Sequence, residues 1–298
     1  MSRLTVSPAS GGVWSAWLAR ASVRSQLTGL LVHVLLLGLV ATTVLPLIYM
    51  VSTSLKPNGT EYEFPIRWIP QRFAWENYVI AFTRVPTLTF LKNTLVISVV
   101  SLVGTVLTSS LAAYGFARLR FPGRDVLFTL MLSTLMLPYF VTMIPLFILF
   151  RNLGWINTFL PLTVPAFFGG YPIFIFLLRQ FFMTLPTELD DAARIDGASY
   201  FRTWWSILMP LSKPALATVT ILSLVFHWND FIGPLIFLNT QDKFTLALGV
   251  RLFRDQYNTF FNQTMAYSTM MTAPILLVFF IFQKQFIRGI SMAGLTGR

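Results

Sequence analysis

Residues 27–51 read LTGLLVHVLLLGLVATTVLPLIYMV, with no Asp, Glu, Lys or Arg among them. A helix needs about 20 apolar residues to cross roughly 30 Å of hydrocarbon, so this stretch is long enough to span a bilayer. It follows Arg20 and Arg24 as a secretory signal would. Its apolar length exceeds the roughly 7 to 15 residues of a cleavable signal, and it reads as a retained anchor.

Five more runs of this kind follow, at 94–117, 126–150, 156–178, 215–238 and 264–282. The run at 215–238 holds His227 and Asp230, and those at 126–150 and 156–178 contain prolines. A β-barrel would show alternating segments of about ten residues instead. The expected fold class is therefore all-α, a polytopic membrane protein with six transmembrane helices. Composition agrees: 55% of the 298 residues are hydrophobic and 11% are charged, against about 25% charged in a soluble domain. The 29 phenylalanines are accounted for by lipid contact and packing.

Six spans place both termini on one side, and basic residues select the side. With the termini inside, the inner segments hold thirteen Lys and Arg and the outer ones nine. The sharpest contrast is local: Arg118, Arg120 and Arg124 in one short loop face the lone Arg151 in the next. Both termini are expected to be cytoplasmic, in a bacterial or archaeal cell (inner) membrane. The formal charge of +11 then follows from this bias. No run of five or more Lys and Arg suggests a nucleic-acid arm. The chain has no cysteine, which excludes disulfides, thiolate metal sites and cysteine nucleophiles. The two histidines, His33 and His227, lie in different spans and suggest no metal site.

Two connecting stretches are too long for turns. The outer one, 52–92, mixes Pro57, Pro65, Pro70 and Pro86 with Trp68, Phe73, Trp75 and Tyr78, which fits a short folded segment at the membrane interface. The inner one carries Pro186-Thr-Glu-Leu-Asp-Asp-Ala-Ala-Arg-Ile-Asp-Gly197. Thr187 and Asp190 have capping-box spacing, Asp190 and Arg194 stand one turn apart, and Leu189, Ala192 and Ala193 form an apolar face. Gly197 after Asp196 ends the helix, because glycine takes the left-handed conformation without steric penalty. A second helical piece leads through Pro210 and Pro214 into the fifth span. On physics alone, a solvated amphipathic connector accounts for this pattern as well as a docking element does.

The spacing Asp191-Ala192-Ala193, then Gly197, then Ile207, Met209 and Pro210 closely resembles the cytoplasmic loop signature of permease subunits of binding-protein-dependent ATP-binding-cassette importers. That signature usually reads Glu-Ala-Ala, three residues, Gly, nine residues, Ile, one residue, Leu-Pro. This chain departs by Asp191 for Glu and Met209 for Leu. Asn93-Thr94-Leu95, Ile195-Asp196-Gly197-Ala198, Trp228-Asn229 with Pro234-Leu235, and the tail residues Gln283, Phe286, Gly289, Gly294 and Gly297 are similar to the carbohydrate branch, the maltose-permease-like six-span subunit. Thr296 stands where that branch often has a lysine.

The resemblance implies a type I importer permease fold, with a cytoplasmic segment 1–26, a permease domain 27–290 containing a coupling loop 186–210, and a cytoplasmic tail 291–298. It implies as partners a second permease, two ATPase subunits that hold ATP and Mg, an extracytoplasmic solute-binding protein and membrane lipid, with no nucleic acid. This sequence has no Gly-x-x-x-x-Gly-Lys-Ser/Thr, so the chain is not expected to be an enzyme or to hold a cofactor. Carried onto this chain, the coupling residues are Glu188, Asp191, Ala192, Ala193, Asp196, Gly197 and Pro210, with Asp191 as the charged contact. For the solute, Trp228, Asn229 and Asp230 offer an aromatic face and hydrogen-bonding groups near the outer end of the fifth span. They read equally well as interfacial residues that cap the helix. The rival classes, an intramembrane lipid-modifying enzyme and a stand-alone ion-coupled carrier, would need ionisable groups on several spans; the acids here gather in the cytoplasmic loop.

Overall fold

A computed structural model describes residues 11–169, 171–253 and 260–295, with side chains described from 28 to 283 within those ranges. The basic residues Arg3, Arg20, Arg24, Arg254, Lys284, Arg288 and Arg298 therefore lie outside the described side chains, as do Phe286, Gly289, Gly294, Thr296 and Gly297. The described residues are helical, with no strand among them.

The anchor stretch lies within α1 (Gly11–Ser54), which keeps Pro46 inside the helix. The Thr42 and Thr43 hydroxyls each donate 2.8 Å to the Leu39 carbonyl, so their polarity is answered within the helix, as hydrocarbon requires. The outer segment is folded, as expected. α2 (Glu76–Arg84) presents the buried Asn77, whose amide donates to the carbonyls of Ser54 at 2.9 Å and Lys56 at 2.8 Å.

The spans are less continuous than the runs suggest. Three unbroken helices, at 28–54, 87–118 and 261–283, and the interrupted stretch 160–184 are long and apolar enough to cross alone, and two further pairs qualify only jointly, across bends of 99° and 85°. The described residues thus give four to six spans rather than six straight ones. The run 126–150 is split into α4 (Arg124–Ser133), a 3₁₀ turn (Thr134–Met136) and α5 (Tyr139–Asn152). Pro138 forces the break by disfavouring helix at Leu137, whose ψ is 118°. The next run gives α6 (Leu160–Thr163), a 3₁₀ turn (Val164–Phe167) and α7 (Pro172–Thr184).

α3 (Thr87–Arg118) is the element around which these pieces collect. Thr94, Ser98, Ser101, Thr105 and Ser109 recur every three or four residues on its buried face, small side chains that let neighbouring elements approach closely. A Cβ on Gly104 would lie 2.7 Å from the Phe167 ring. One of these polar positions, Ser101, and the neighbouring Thr108 serve the broken span directly. Ser101 donates to the Leu162 carbonyl and Thr108 to the Ala166 carbonyl, each at 2.9 Å. Irregular backbone at membrane depth is tolerated where neighbouring groups bond its carbonyls in this way.

After α7 come α8 (Glu188–Ile195), α9 (Tyr200–Thr203), a π turn (Trp204–Leu208), α10 (Met209–Leu211) and α11 (Lys213–Trp228). The run 215–238 is not one helix: α11 stops at Trp228 and α12 (Ile232–Phe237) follows. α13 (Leu246–Gly249) and α14 (Phe261–Leu295) complete the chain, with α14 packed on α1, α2 and α11. Two cores result. One, towards α8, centres on Tyr114, Leu178, Phe182, Trp204 and Leu208; the other, at the opposite end, on Phe90, Trp228, Phe253 and Tyr267. The far end is tied by Asn93, whose amide donates to the Asp242 and Phe244 carbonyls at 2.8 and 3.0 Å.

Candidate functional site

The loop 186–210 begins with α8. Its C-terminus is closed by two backbone bonds, Gly197 N–H to the Arg194 carbonyl at 3.0 Å and Ala198 N–H to the Ala193 carbonyl at 2.8 Å. Gly197 sits at φ +75°, the left-handed position that such a cap requires. The local sequence expectation holds at this end.

At the other end it does not. Thr187 makes no side-chain capping bond, and Asp190 does not pair with Arg194. Arg194 lies instead 3.9 Å from Asp191. Asp190 turns inward to Arg118, the last residue of α3, at 3.4 Å, with only 5% and 12% of the two side chains exposed. The same guanidinium donates to the Leu185 carbonyl at 2.7 Å and the Pro186 carbonyl at 3.4 Å. The buried Arg118 charge draws Asp190 away from the roles that local spacing gave it. Burial pushes the Asp190 carboxyl above its ordinary range, while Arg118 and Arg194 pull it back. Arg118 was read in the sequence only as a topological charge; nothing local signalled that it would clamp the loop.

This clamp decides which face of α8 is free. Leu189, Asp190 and Ala193 face inward; Glu188, Asp191, Ala192 and Ile195 form an outward stripe at helical spacing, with Ile195 87% exposed. Ala192 is therefore not on the buried face with Ala193, as the sequence pattern had placed it. Asp196 and Gly197 are also exposed. Beyond them Ser199 caps α9 by accepting from Arg202 N–H at 3.3 Å. Pro210 lies in α10, after the π turn, and the arm formed by residues 200–211 meets α11 at 85°.

The second candidate region lies where three helices break. Tyr139 opens α5 after the Pro138 break, Tyr171 precedes α7 after the 3₁₀ turn, and Asp230 lies between α11 and α12. Tyr171 meets Phe226 edge-on at 4.9 Å and His227 at 5.7 Å. His227 is buried, and its Nε2 has no hydrogen-bond partner among the described residues. Asp230 accepts the Gly233 N–H at 3.0 Å and so caps α12. Trp228 is buried, donating to the Met271 carbonyl at 3.0 Å, and Asn229 is exposed, bonded back to Val225 at 2.9 Å. The structure thus gives Asp230 a capping bond to α12 and places Trp228 in the packing against α14. Tyr139 and Tyr171 were missed in the sequence; the prolines beside them were their only signal. No group of three or more metal-ligating side chains occurs among the described residues.

Residues 104–292 match the family described as binding-protein-dependent transport system inner membrane component. The chain is 35% identical over 257 residues to the arabinooligosaccharides transport system permease protein AraQ of Halalkalibacterium halodurans, covering 85% of this chain and 91% of the relative. It is 30% identical to the diacetylchitobiose uptake system permease protein NgcG of Streptomyces coelicolor, covering 92% and 91%. To the sn-glycerol-3-phosphate transport system permease protein UgpE of Yersinia enterocolitica it is 32% identical, covering 87% and 94%. Its fold is similar to a chain in the crystal structure of a bacterial ABC transporter involved in import of the acidic polysaccharide alginate, with a TM-score of 0.77 at 23% identity, over 88% of this chain and 98% of that one.

Proposed function

The chain belongs to the family of binding-protein-dependent transport system inner membrane components, and from that membership we propose that it is one of two permease subunits of an ATP-driven importer for a carbohydrate or related polyol. Its partners are a second permease, two ATPase subunits that carry ATP and Mg, and an extracytoplasmic solute-binding protein. The permease domain is 27–290, and both termini face the cytoplasm.

The observation that carries this reading is the two-sided construction of α8. One face is clamped to α3 through Asp190 and Arg118, while Glu188, Asp191, Ala192 and Ile195 are left free. A free acidic stripe with one small residue suits close docking in a cleft of an ATPase subunit. The clamped face passes the motion of that subunit to α3, and Gly197 with Pro210 fixes the exit angle of the arm. ATP binding and hydrolysis then shift the population between arrangements of the spans.

The solute path follows from the second region. Asp230, Tyr139, Tyr171 and the exposed Asn229 offer a carboxylate, hydroxyls, aromatic faces and an amide, the groups that recognise a polyhydroxylated solute. They lie where helices are broken, which is where transporters place substrate contacts.

A mild-detergent pull-down of the tagged chain, followed by mass spectrometry, tests the assembly. The expected companions are an ATPase with a P-loop, a second multi-span permease and a solute-binding protein. Recovery of the chain alone, still moving a solute, would overturn the reading.

A further inference from the structure

At the outer end of α1 the chain folds back and encloses a cavity of about 110 Å³, lined by Lys56, Thr60, Glu63, Arg67, Gln71 and Arg72 among others. One water needs only about 15 Å³ of such volume, so the space admits a larger group. Lys56 is 3% exposed. Its backbone is fixed by Asn77 and Asn262, whose amides donate to its carbonyl at 2.8 and 2.9 Å. Its ammonium stands 5.5 Å from the centre of the Tyr49 ring. Among the described residues no carboxylate lies within ion-pair reach of it: Glu63 is committed to Arg67 at 3.2 Å, and Arg72 reaches Glu76 at 3.1 Å. Three cationic side chains thus face the cavity against one carboxylate, and the most buried cation has no counter-charge among the described residues, an arrangement that calls for an anion.

The surroundings identify its kind. Phe64 and Ile69, on the same fold-back, are 94% and 77% exposed. The apolar window of α1 just below is wholly unburied, and Tyr49 meets Trp68 edge-on at 6.2 Å between the two. Exposed apolar rings beside a sheltered cation match the headgroup layer, where rings lie against acyl chains and ammonium groups meet phosphate. An acidic protein surface would answer the charge but leave Phe64 and Ile69 facing water.

We propose that this cavity binds the phosphate of an anionic glycerophospholipid, with Lys56 as the central cation, Arg67 and Arg72 at its rim, and the acyl chains lying along α1. The proposal rests on the geometry of the cavity; the transport reading supplies only the assembly in which it is tested.

The complete assembly, purified in mild detergent and delipidated, would be titrated with dihexanoylphosphatidylglycerol, dihexanoylphosphatidylcholine and inorganic phosphate. Retained ligand would be counted by native mass spectrometry. The expected result is saturable phosphatidylglycerol binding, about tenfold weaker in Lys56→Gln, the loss of one charge-assisted contact. Arg72→Gln, at an exposed position where misfolding is not at issue, is expected to weaken it by a smaller factor. Equal phosphatidylglycerol binding by the wild type and both variants would overturn the proposal. Inorganic phosphate or phosphatidylcholine bound as tightly as phosphatidylglycerol would overturn the anionic lipid as occupant. Unchanged lipid binding with lost capture of the solute-binding protein would assign the cavity to a protein contact instead.

Discussion

Gly197 shows how much a single backbone angle can specify. A Cβ there meets nothing within 4 Å, so the demand for glycine comes from φ +75° alone. Gly197→Asn should therefore be nearly neutral, since asparagine tolerates the left-handed region, while Gly197→Val should cost about 1–3 kcal/mol and uncouple ATP hydrolysis from solute. Thermal unfolding in detergent and solute-stimulated ATPase activity check both. The Arg118–Asp190 pair answers to different physics. Arg118→Met leaves a buried carboxylate alone and is expected to cost about 3 kcal/mol, with most of it recovered in Arg118→Met/Asp190→Leu. Because burial raises the Asp190 carboxyl in the folded protein, the folded state holds this proton to higher pH than the unfolded one. Its contribution to stability therefore falls as pH rises from the ordinary carboxylate value through the raised one, and is constant above. Melting temperatures of the wild type relative to Asp190→Asn should fall across that window. Gly197 was legible in the sequence because its requirement is local. The partner of Asp190 was not: its two acids in succession leave open which one turns inward, and Arg118 decides that from another helix.

At the scale of the element, α8 separates two neighbouring alanines that the sequence pattern had put together. Ala192→Trp, on the free face, should abolish co-purification of the ATPase without lowering the melting temperature. Ala193→Trp, on the buried face, should destabilise the fold by about 1–3 kcal/mol through overpacking. Loss of stability in the first variant would mean that the free face is packed within the chain. The broken spans were half legible. The prolines marked where helices could not continue, but Pro46 stays inside α1 and Pro145 inside α5, so a proline alone does not give a bend. The second broken span has in addition a tertiary tie: Ser101 and Thr108 on α3 bond its Leu162 and Ala166 carbonyls.

For the whole molecule, six long apolar runs were enough to name a helical membrane protein, and the loop signature was enough to expect its family. They could not place Tyr139, Tyr171 and Asp230 each beside a helix break, because where a span is interrupted is settled in the fold and not by the composition of the run. Asp230→Asn keeps an acceptor for the Gly233 N–H and so should preserve α12 and the assembly. Solute uptake should fall about tenfold, the equivalent of one charge-assisted hydrogen bond; unchanged uptake would remove Asp230 from the path. One consequence reaches from end to end. α3 ends at α8 through Arg118 and is held at the opposite end through Asn93. Its 32 residues contain no proline and measure roughly 48 Å at the rise of an α-helix. A pushrod without a joint has no lost motion: under the proposed coupling, the two faces of the membrane keep time together, and an interval between nucleotide-driven closure and rearrangement of the outer loop would have to arise elsewhere than in α3.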